Sequence, residues 1–264
     1  MDLKLKDKIA LVTGSTAGIG NAIARSLAAE GATVYINGRN QTKVDEVVEK
    51  LKGETGNANI KGIAADFSDR QQVDALLKQL PEVDILVNNV GIFEPKEFKN
   101  ITDEDWVRFF EVNVLSGVRL ARVYFDKMLA KNWGRIIFIS SESGVQIPAE
   151  MIHYGVTKTA QIAVARGLAE LTVNTGVTVN TVLPGPTLSD GVGDFMKALA
   201  ADQGKTDAEM ETEFFTSMRG SSLIKRFLDP AEIANMVTYI ASPLSSATNG
   251  ATLRTDGGVI KTAF

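Results

Sequence analysis

A chain of 264 residues, 44% of them hydrophobic, is long enough to bury a continuous core and suits one large α/β domain. Its net charge of −4 is spread over interspersed acids and bases, which leaves no basic face for nucleic acid or anionic lipid and favours a small soluble partner. With no cysteine and one histidine the chain has no disulfide, no thiol nucleophile and no thiolate or multi-histidine metal site, so acid–base chemistry falls to other groups and no metal is expected.

The residues ahead of Ile9 are mostly charged, and the apolar run Ile9-Ala10-Leu11-Val12 is too short for a signal peptide or membrane span. A cytoplasmic protein is expected. Residues 9–13 read as a first strand, followed by Thr13-Gly14-Ser15-Thr16-Ala17-Gly18-Ile19-Gly20 and a helix with Ile23, Leu27 and Ala28 along one face. Glycines at 14, 18 and 20 permit a tight turn and close backbone approach, and the helix start offers unpaired N–H groups to a pyrophosphate. Gly14, Ser15, Thr16, Gly18, Ile19 and Gly20 are read as its contacts. A second strand, 33–37, ends at Asn37-Gly38-Arg39 without the acid that would hold the ribose hydroxyls of NAD. Arg39 offers a planar cation to a 2′-phosphate, Gly38 leaves room, and the Ser15 and Thr16 hydroxyls can help. NADP(H) is therefore preferred, with NAD(H) as the alternative.

A helix from about Gln41 leads to a third strand, 60–64, after which Asp66 can accept from an adenine amino group or cap the helix beginning near Arg70. A fourth strand, 84–88, runs into Asn88-Asn89-Val90-Gly91. In the helix from about Thr102, Asn113 interrupts the apolar pattern Phe109, Phe110, Val114, Leu115 and Val118, at a cost to helix stability that calls for a tertiary reason. A fifth strand, 135–140, ends at Ser140-Ser141-Glu142-Ser143, where Glu142 reads as solvated. In the helix from Ile152, Tyr154 and Lys158 share one face one turn apart, so the lysine charge can favour a tyrosinate. His153 points about 100° away from Tyr154 and reads as a surface or pocket-rim residue.

The sixth strand, 177–183, leads to Pro184-Gly185-Pro186-Thr187 and an irregular stretch, 184–226, read as an insertion before the last helix, near Asp229. Its Phe195, Met196, Met210, Phe214, Phe215 and Met218 suit either a mobile lid over an apolar substrate or the packing of two short helices. Residues 251–254 close the set of strands. Strands apolar on both faces and separated by helices imply a single doubly wound, Rossmann-type α/β domain over 1–264, with a seven-stranded parallel sheet and ligands beyond the carboxyl ends of its strands. The 154–171 helix is small or apolar around much of its circumference, so it has more than its own sheet to satisfy, which points to a subunit interface.

From Lys8 to Gly258 the chain resembles the short-chain dehydrogenase/reductase family. The resemblance rests on the glycine motif from Thr13 to Gly20, Asn88-Asn89-Val90-Gly91, Asn113, Ser141 thirteen residues before Tyr154, Lys158, Pro184-Gly185-Pro186-Thr187 and Asp256-Gly257-Gly258. It implies an NAD(P)(H)-dependent oxidoreductase that moves a hydride between a nicotinamide and a ketone or secondary alcohol. It further implies Tyr154 as proton donor in reduction and base in oxidation, and Lys158 as a cation favouring the ionised tyrosine and holding the nicotinamide ribose. Ser141 would donate to the substrate oxygen, and the main chain of Asn113 would hold a water that relays protons to Lys158. Further cofactor contacts are implied at Asn88, Gly91, Pro184, Gly185 and Thr187. Val90 stands where alanine is commoner, and Ala17 where many NADP-dependent relatives carry a basic residue, so the NADP reading rests mainly on Arg39. Two other readings compete. A 3-oxoacyl-thioester reductase acting on acyl-carrier protein needs a basic patch, for which Lys197, Lys205, Arg219, Lys225 and Arg226 are the candidates. A catalytically silent NADP(H)-sensing regulator would have no need of Ser141 or the Tyr154 hydroxyl.

Overall fold

The structure, a computed structural model, describes residues 2–263, and of Phe195 the main chain alone. Seven strands, β1 (Ile9–Val12), β2 (Thr33–Gly38), β3 (Ile60–Ala64), β4 (Ile85–Asn88), β5 (Gly134–Ile139), β6 (Val177–Pro184) and β7 (Thr252–Thr255), form one sheet in the order β3-β2-β1-β4-β5-β6-β7. Every pairing is parallel. Parallel strands need crossovers, which here are the helices α1 (Gly18–Ala29), α2 (Gln41–Thr55), α3 (Arg70–Gln79), α4 (Asp103–Phe110), α5 (Ser116–Ala130), α6 (Ile152–Glu170) and α9 (Pro230–Ala241). Two further helices, α7 (Asp190–Asp202) and α8 (Asp207–Glu213), lie within the stretch between β6 and α9.

The central strands alternate between two cores. Ala10 and Val12 of β1, Ile85 and Val87 of β4, and Ile137 and Ile139 of β5 face the core closed by α1, α2 and α9. Leu11, Leu86, Ile136 and Phe138 face the other, closed by α3, α5 and α6. Each fully buried Leu or Ile contributes roughly 1.5–3 kcal/mol, which is why these strands carry apolar residues on both faces rather than at every second position. The chain order reverses between β1 and β4, so their carboxyl ends open the crevice where ligands bind in such sheets.

Helix starts are set locally. Asn40 caps α2 through Lys43 N, and Asp229 and Glu232 form a capping box around Pro230 at the first turn of α9. The cap of α3 is Asp69, whose carboxylate accepts from Gln71 N and Gln72 N; Asp66, the sequence candidate, instead holds Ser68. The helix carrying Asn113 is not one uniform helix. A π-helical turn, Glu111–Leu115, separates α4 from α5 with Asn113 at its centre. No described helix is long and apolar enough to cross a membrane.

Candidate active site

The turn after β1 requires its glycines. Gly14 and Gly18 have φ of 61° and 54°, and a Cβ on Gly20 would stand 2.4 Å from the Gly14 carbonyl oxygen. Asn89 clamps the same turn, its Nδ2 donating to the carbonyls of Thr13 (2.9 Å) and Gly14 (3.1 Å). This is a backbone cradle that any side chain would fill, as a pyrophosphate at a helix N-terminus requires. α1 has no side-chain cap of its own; Gly18 N donates to the carboxylate of Asp190, 3.1 Å away in α7.

Two sequence candidates point elsewhere. Ser15 is fully buried, its hydroxyl donating to Val12 O at 2.7 Å and accepting from Asn37 N at 2.9 Å, while its own N–H donates to Asn37 O. It ties β1 to β2 and has no hydroxyl left for a phosphate. Asn88 is buried at the end of β4 against Gly117 of α5, and Asn89 is the residue that faces the cleft. Gly14, Thr16, Arg39, Asp66 and Gly91 do line one cavity. Arg39 is exposed there with no hydrogen bond or ion pair among the described residues, and a Cβ on Gly38 would stand 2.6 Å from Thr16 Cγ2. The room expected at Gly38 is thus taken by the Thr16 side chain, which Gly38 lets approach, and the unpaired guanidinium is what fits a 2′-phosphate.

The cleft continues past Ile19, Asn89 and Gly91 to Ser141, Tyr154, Lys158, Pro184, Gly185, Thr187 and Ser189. Here the π turn gives Asn113 its tertiary reason. Its Oδ1 accepts from Ile92 N (2.8 Å) and its Nδ2 donates to Ile92 O (3.0 Å) and Thr157 Oγ1 (2.9 Å), pinning the loop after β4 to α6. Lys158 Nζ is buried and donates to Ile139 O (3.0 Å) and to Gln161 Oε1 (3.1 Å). Gln161 Nε2 in turn donates to the main-chain oxygen of Asn113 at 2.6 Å. The expected link from the Asn113 carbonyl to Lys158 thus runs through a side-chain amide that the sequence reading passed over. Ser140 Oγ donates to Lys158 O, whereas Ser141 faces both the cleft and the cavity beyond it.

Burial sets the protonation of this group. It pushes the Tyr154 phenol up to about 12 against the downward pull of the Ser141 hydroxyl, and it brings the Lys158 amine down to about 7. Lys158 Nζ lies 5.6 Å from the Tyr154 ring centroid, and the groups that pull the phenol down are Ser141 and Arg219.

A second cavity meets the cleft at Phe93, Ser141, Tyr154, Gly185 and Val192. Its far wall is apolar, with Met196, Phe214 and Met218 from the stretch after β6. Met196, with Phe214 against it, also belongs to a small separate core with Met210, Phe215 and Phe227, so Met196 and Phe214 serve both packing and lining while Met210 and Phe215 pack; the Phe195 side chain lies outside the described residues. Glu142, expected to be solvated, is 4% exposed and paired with Arg219 Nε at 3.0 Å. Arg219 Nη1 reaches Glu150 at 3.0 Å. Burial raises the Glu142 pKa, and the two carboxylates hold Arg219 above its usual value although burial alone would lower it. His153 is fully buried rather than on a rim, 4.0 Å from the Phe109 ring, and burial lowers its pKa.

The sequence matches the model of the short chain dehydrogenase family over residues 8–200. It is 50% identical to the uncharacterized oxidoreductase YvaG of Bacillus subtilis (strain 168) over 100% of both chains. It is 33% identical to the 3-oxoacyl-[acyl-carrier-protein] reductase FabG of Vibrio cholerae serotype O1, over 97% of this chain and 99% of that one. Among solved structures, L-sorbose reductase from Gluconobacter frateurii, complexed with NADPH and L-sorbose, superposes with a TM-score of 0.93 at 31% identity, covering 99% of this chain and 100% of that one.

Proposed function

This chain belongs to the short-chain dehydrogenase family, and from that premise we propose that it is an NADP(H)-preferring reductase or dehydrogenase in which Tyr154 moves the proton. It is an oxidoreductase acting between a nicotinamide and a ketone or secondary alcohol. The observation that carries the assignment of roles is that Tyr154 and Ser141 stand where the cofactor cleft meets the apolar cavity, so a carbonyl entering from the cavity reaches both hydroxyls at once. The dinucleotide supplies the hydride in reduction and accepts it in oxidation.

In reduction, negative charge gathers on the carbonyl oxygen, and the Ser141 hydroxyl donates to it as Tyr154 gives up its proton. In the reverse direction the tyrosinate takes the alcohol proton. Lys158, fixed by Ile139 O and Gln161, keeps a third N–H for the cleft, and Asn113 holds the loop after β4 in place. Gly14, Gly18, Ile19 and Gly20 would cradle the pyrophosphate. Arg39 and Thr16 would receive the 2′-phosphate, Asp66 would face the adenine, and Gly91, Pro184, Gly185 and Thr187 would line the nicotinamide end. We assign 184–226 as a substrate lid on a single catalytic domain, supported by Val192, Met196, Phe214 and Met218 on the cavity wall. A cytoplasmic site of action is part of the same reading, as a chain without cysteine needs no oxidising compartment. A homodimer or homotetramer through α6 is supported by the exposed Val156, Ala163, Gly167 and Leu171 on and just after that helix.

The acyl-carrier-protein reading stands second, favoured by the likeness to FabG. Its basic patch is largely taken up internally. Arg219 is held by Glu142 and Glu150, Arg226 by Glu232 in two hydrogen bonds, Lys205 by Glu213, and Lys225 by the carbonyls of Phe215 and Gly220. Initial rates with NADPH and NADH against a panel of ketones and a 3-oxoacyl thioester test the assignment. Turnover of a free ketone with NADPH preferred is expected; cofactor binding with no turnover of any substrate would favour the sensing regulator, and turnover of the thioester alone the second reading.

A further inference from the structure

Lys158 is a buried ammonium with three protons, and the structure accounts for two of them. One goes to Ile139 O at the end of β5 and one to Gln161 Oε1, three residues further along α6. Gln161 is itself 2% exposed, and a buried amide must satisfy both its ends. Its orientation is dictated by Asn113. The Asn113 main-chain oxygen can only accept, so the Gln161 NH₂ group must face it, at 2.6 Å, which turns the amide oxygen onto Lys158. The remaining ammonium proton is left for the cleft, where a Cβ on Gly91 would stand 3.2 Å from Nζ.

We propose that Gln161 is a positioning residue that couples Lys158 to the main chain of Asn113 and directs the one uncommitted N–H of Lys158 into the cofactor cleft. The proposal rests on the reading above, in which Lys158 works beside Tyr154. An acceptor at this point favours the charged amine, so Gln161 opposes the burial that would otherwise strip the proton. No other charge does so among the described residues, where Lys158 has no ion pair. Around it Tyr154 shares its helix. Arg108 and Asp105 at α4 are paired with Glu94 and Lys96, Glu111 in the π turn with Arg119, and Glu142 and Glu150 with Arg219. His153 is turned into the Trp106 and Phe109 rings, and Arg135 sits at the opposite end of β5. A methionine or leucine at 161 would fill the same volume and leave both Lys158 and the Asn113 carbonyl short of a partner.

The test compares Gln161→Met, which removes both hydrogen bonds, with Gln161→Glu, which keeps the acceptor on Lys158 and strengthens it with charge but, like methionine, has no donor for the Asn113 main-chain oxygen. Rates of NADPH-dependent ketone reduction are measured across pH, together with NADPH binding by fluorescence and the thermal midpoint of each variant. Gln161→Met should lower kcat about tenfold with a smaller change in KM for ketone, and move the alkaline limb of the profile down by about one pH unit. Gln161→Glu should move that limb up, because a carboxylate holds the ammonium to higher pH. An unmoved limb in both variants, whatever happens to the thermal midpoint, would overturn the proposal. If Gln161→Met does not fold, the direction of the limb in Gln161→Glu decides alone. Loss of turnover in Tyr154→Phe with wild-type pH profiles in both Gln161 variants would sink this inference and leave the Tyr154 reading standing; an active Tyr154→Phe would remove that reading itself.

Discussion

Arg39 and the Glu142–Arg219–Glu150 group carry selectivity by opposite logic. Arg39 is a guanidinium without a partner among the described residues, so its charge is available to a ligand. Arg39→Ala is expected to raise KM for NADPH about tenfold or more while leaving NADH nearly unchanged, as judged from initial rates with each cofactor. Arg219 is a guanidinium already held by two carboxylates, leaving the substrate cavity with one net negative charge. At an effective dielectric near 20 such a charge repels an anion several ångströms away by about 2 kcal/mol. A neutral 3-oxo ester should therefore exceed the matching 3-oxo acid in kcat/KM by at least about tenfold, and Glu150→Gln should narrow the gap; an acid that is the better substrate would contradict this. Arg219 and Glu142 lie 77 residues apart, and no local pattern could have paired them. Ser15 was likewise legible as a loop residue but not as one turned inward, because that depends on Asn37 across the sheet.

At the scale of elements, the contact between α7 and the start of α1 matters most. Asp190 places a carboxylate on Gly18 N, the group that a pyrophosphate would need. Two anions cannot share that N–H, so Asp190→Asn should tighten NADPH binding about threefold, read by fluorescence titration. Weaker binding in this variant would mean that the carboxylate instead helps to hold α7 in its receptive position. The sheet and its helices were largely legible beforehand. Residues 60–64 match β3, and helices begin at Gly18, Gln41, Arg70 and Ile152, where the apolar period sets in, with side-chain caps at Asn40 and Asp69 for two of them. The π turn at Glu111–Leu115 was not, because a one-residue slip in hydrogen bonding barely disturbs a period read over a whole helix. The asparagine that violates helix preference was its one outward sign.

Across the whole molecule, the fold stores an unfavourable group at its centre. Burial brings Lys158 to about 7 from its ordinary 10.5, so between those values the unfolded chain binds the extra proton and stability contributed at this site rises with pH. Below pH 7 the folded state carries a buried charge at a cost. Lys158→Met is accordingly expected to melt higher than wild type at pH 6.5, with the gap narrowed by pH 9.5, in paired thermal scans. A gap that is constant or widens would contradict the depressed lysine. The account as a whole depends on Tyr154 being the proton carrier at the point where cleft and cavity meet. Turnover and NADPH affinity measured on the same preparation of Tyr154→Phe test this most directly. Affinity within a few-fold of wild type with kcat reduced at least about a hundredfold is predicted, and a variant that still reduces ketone at near wild-type rate would contradict it.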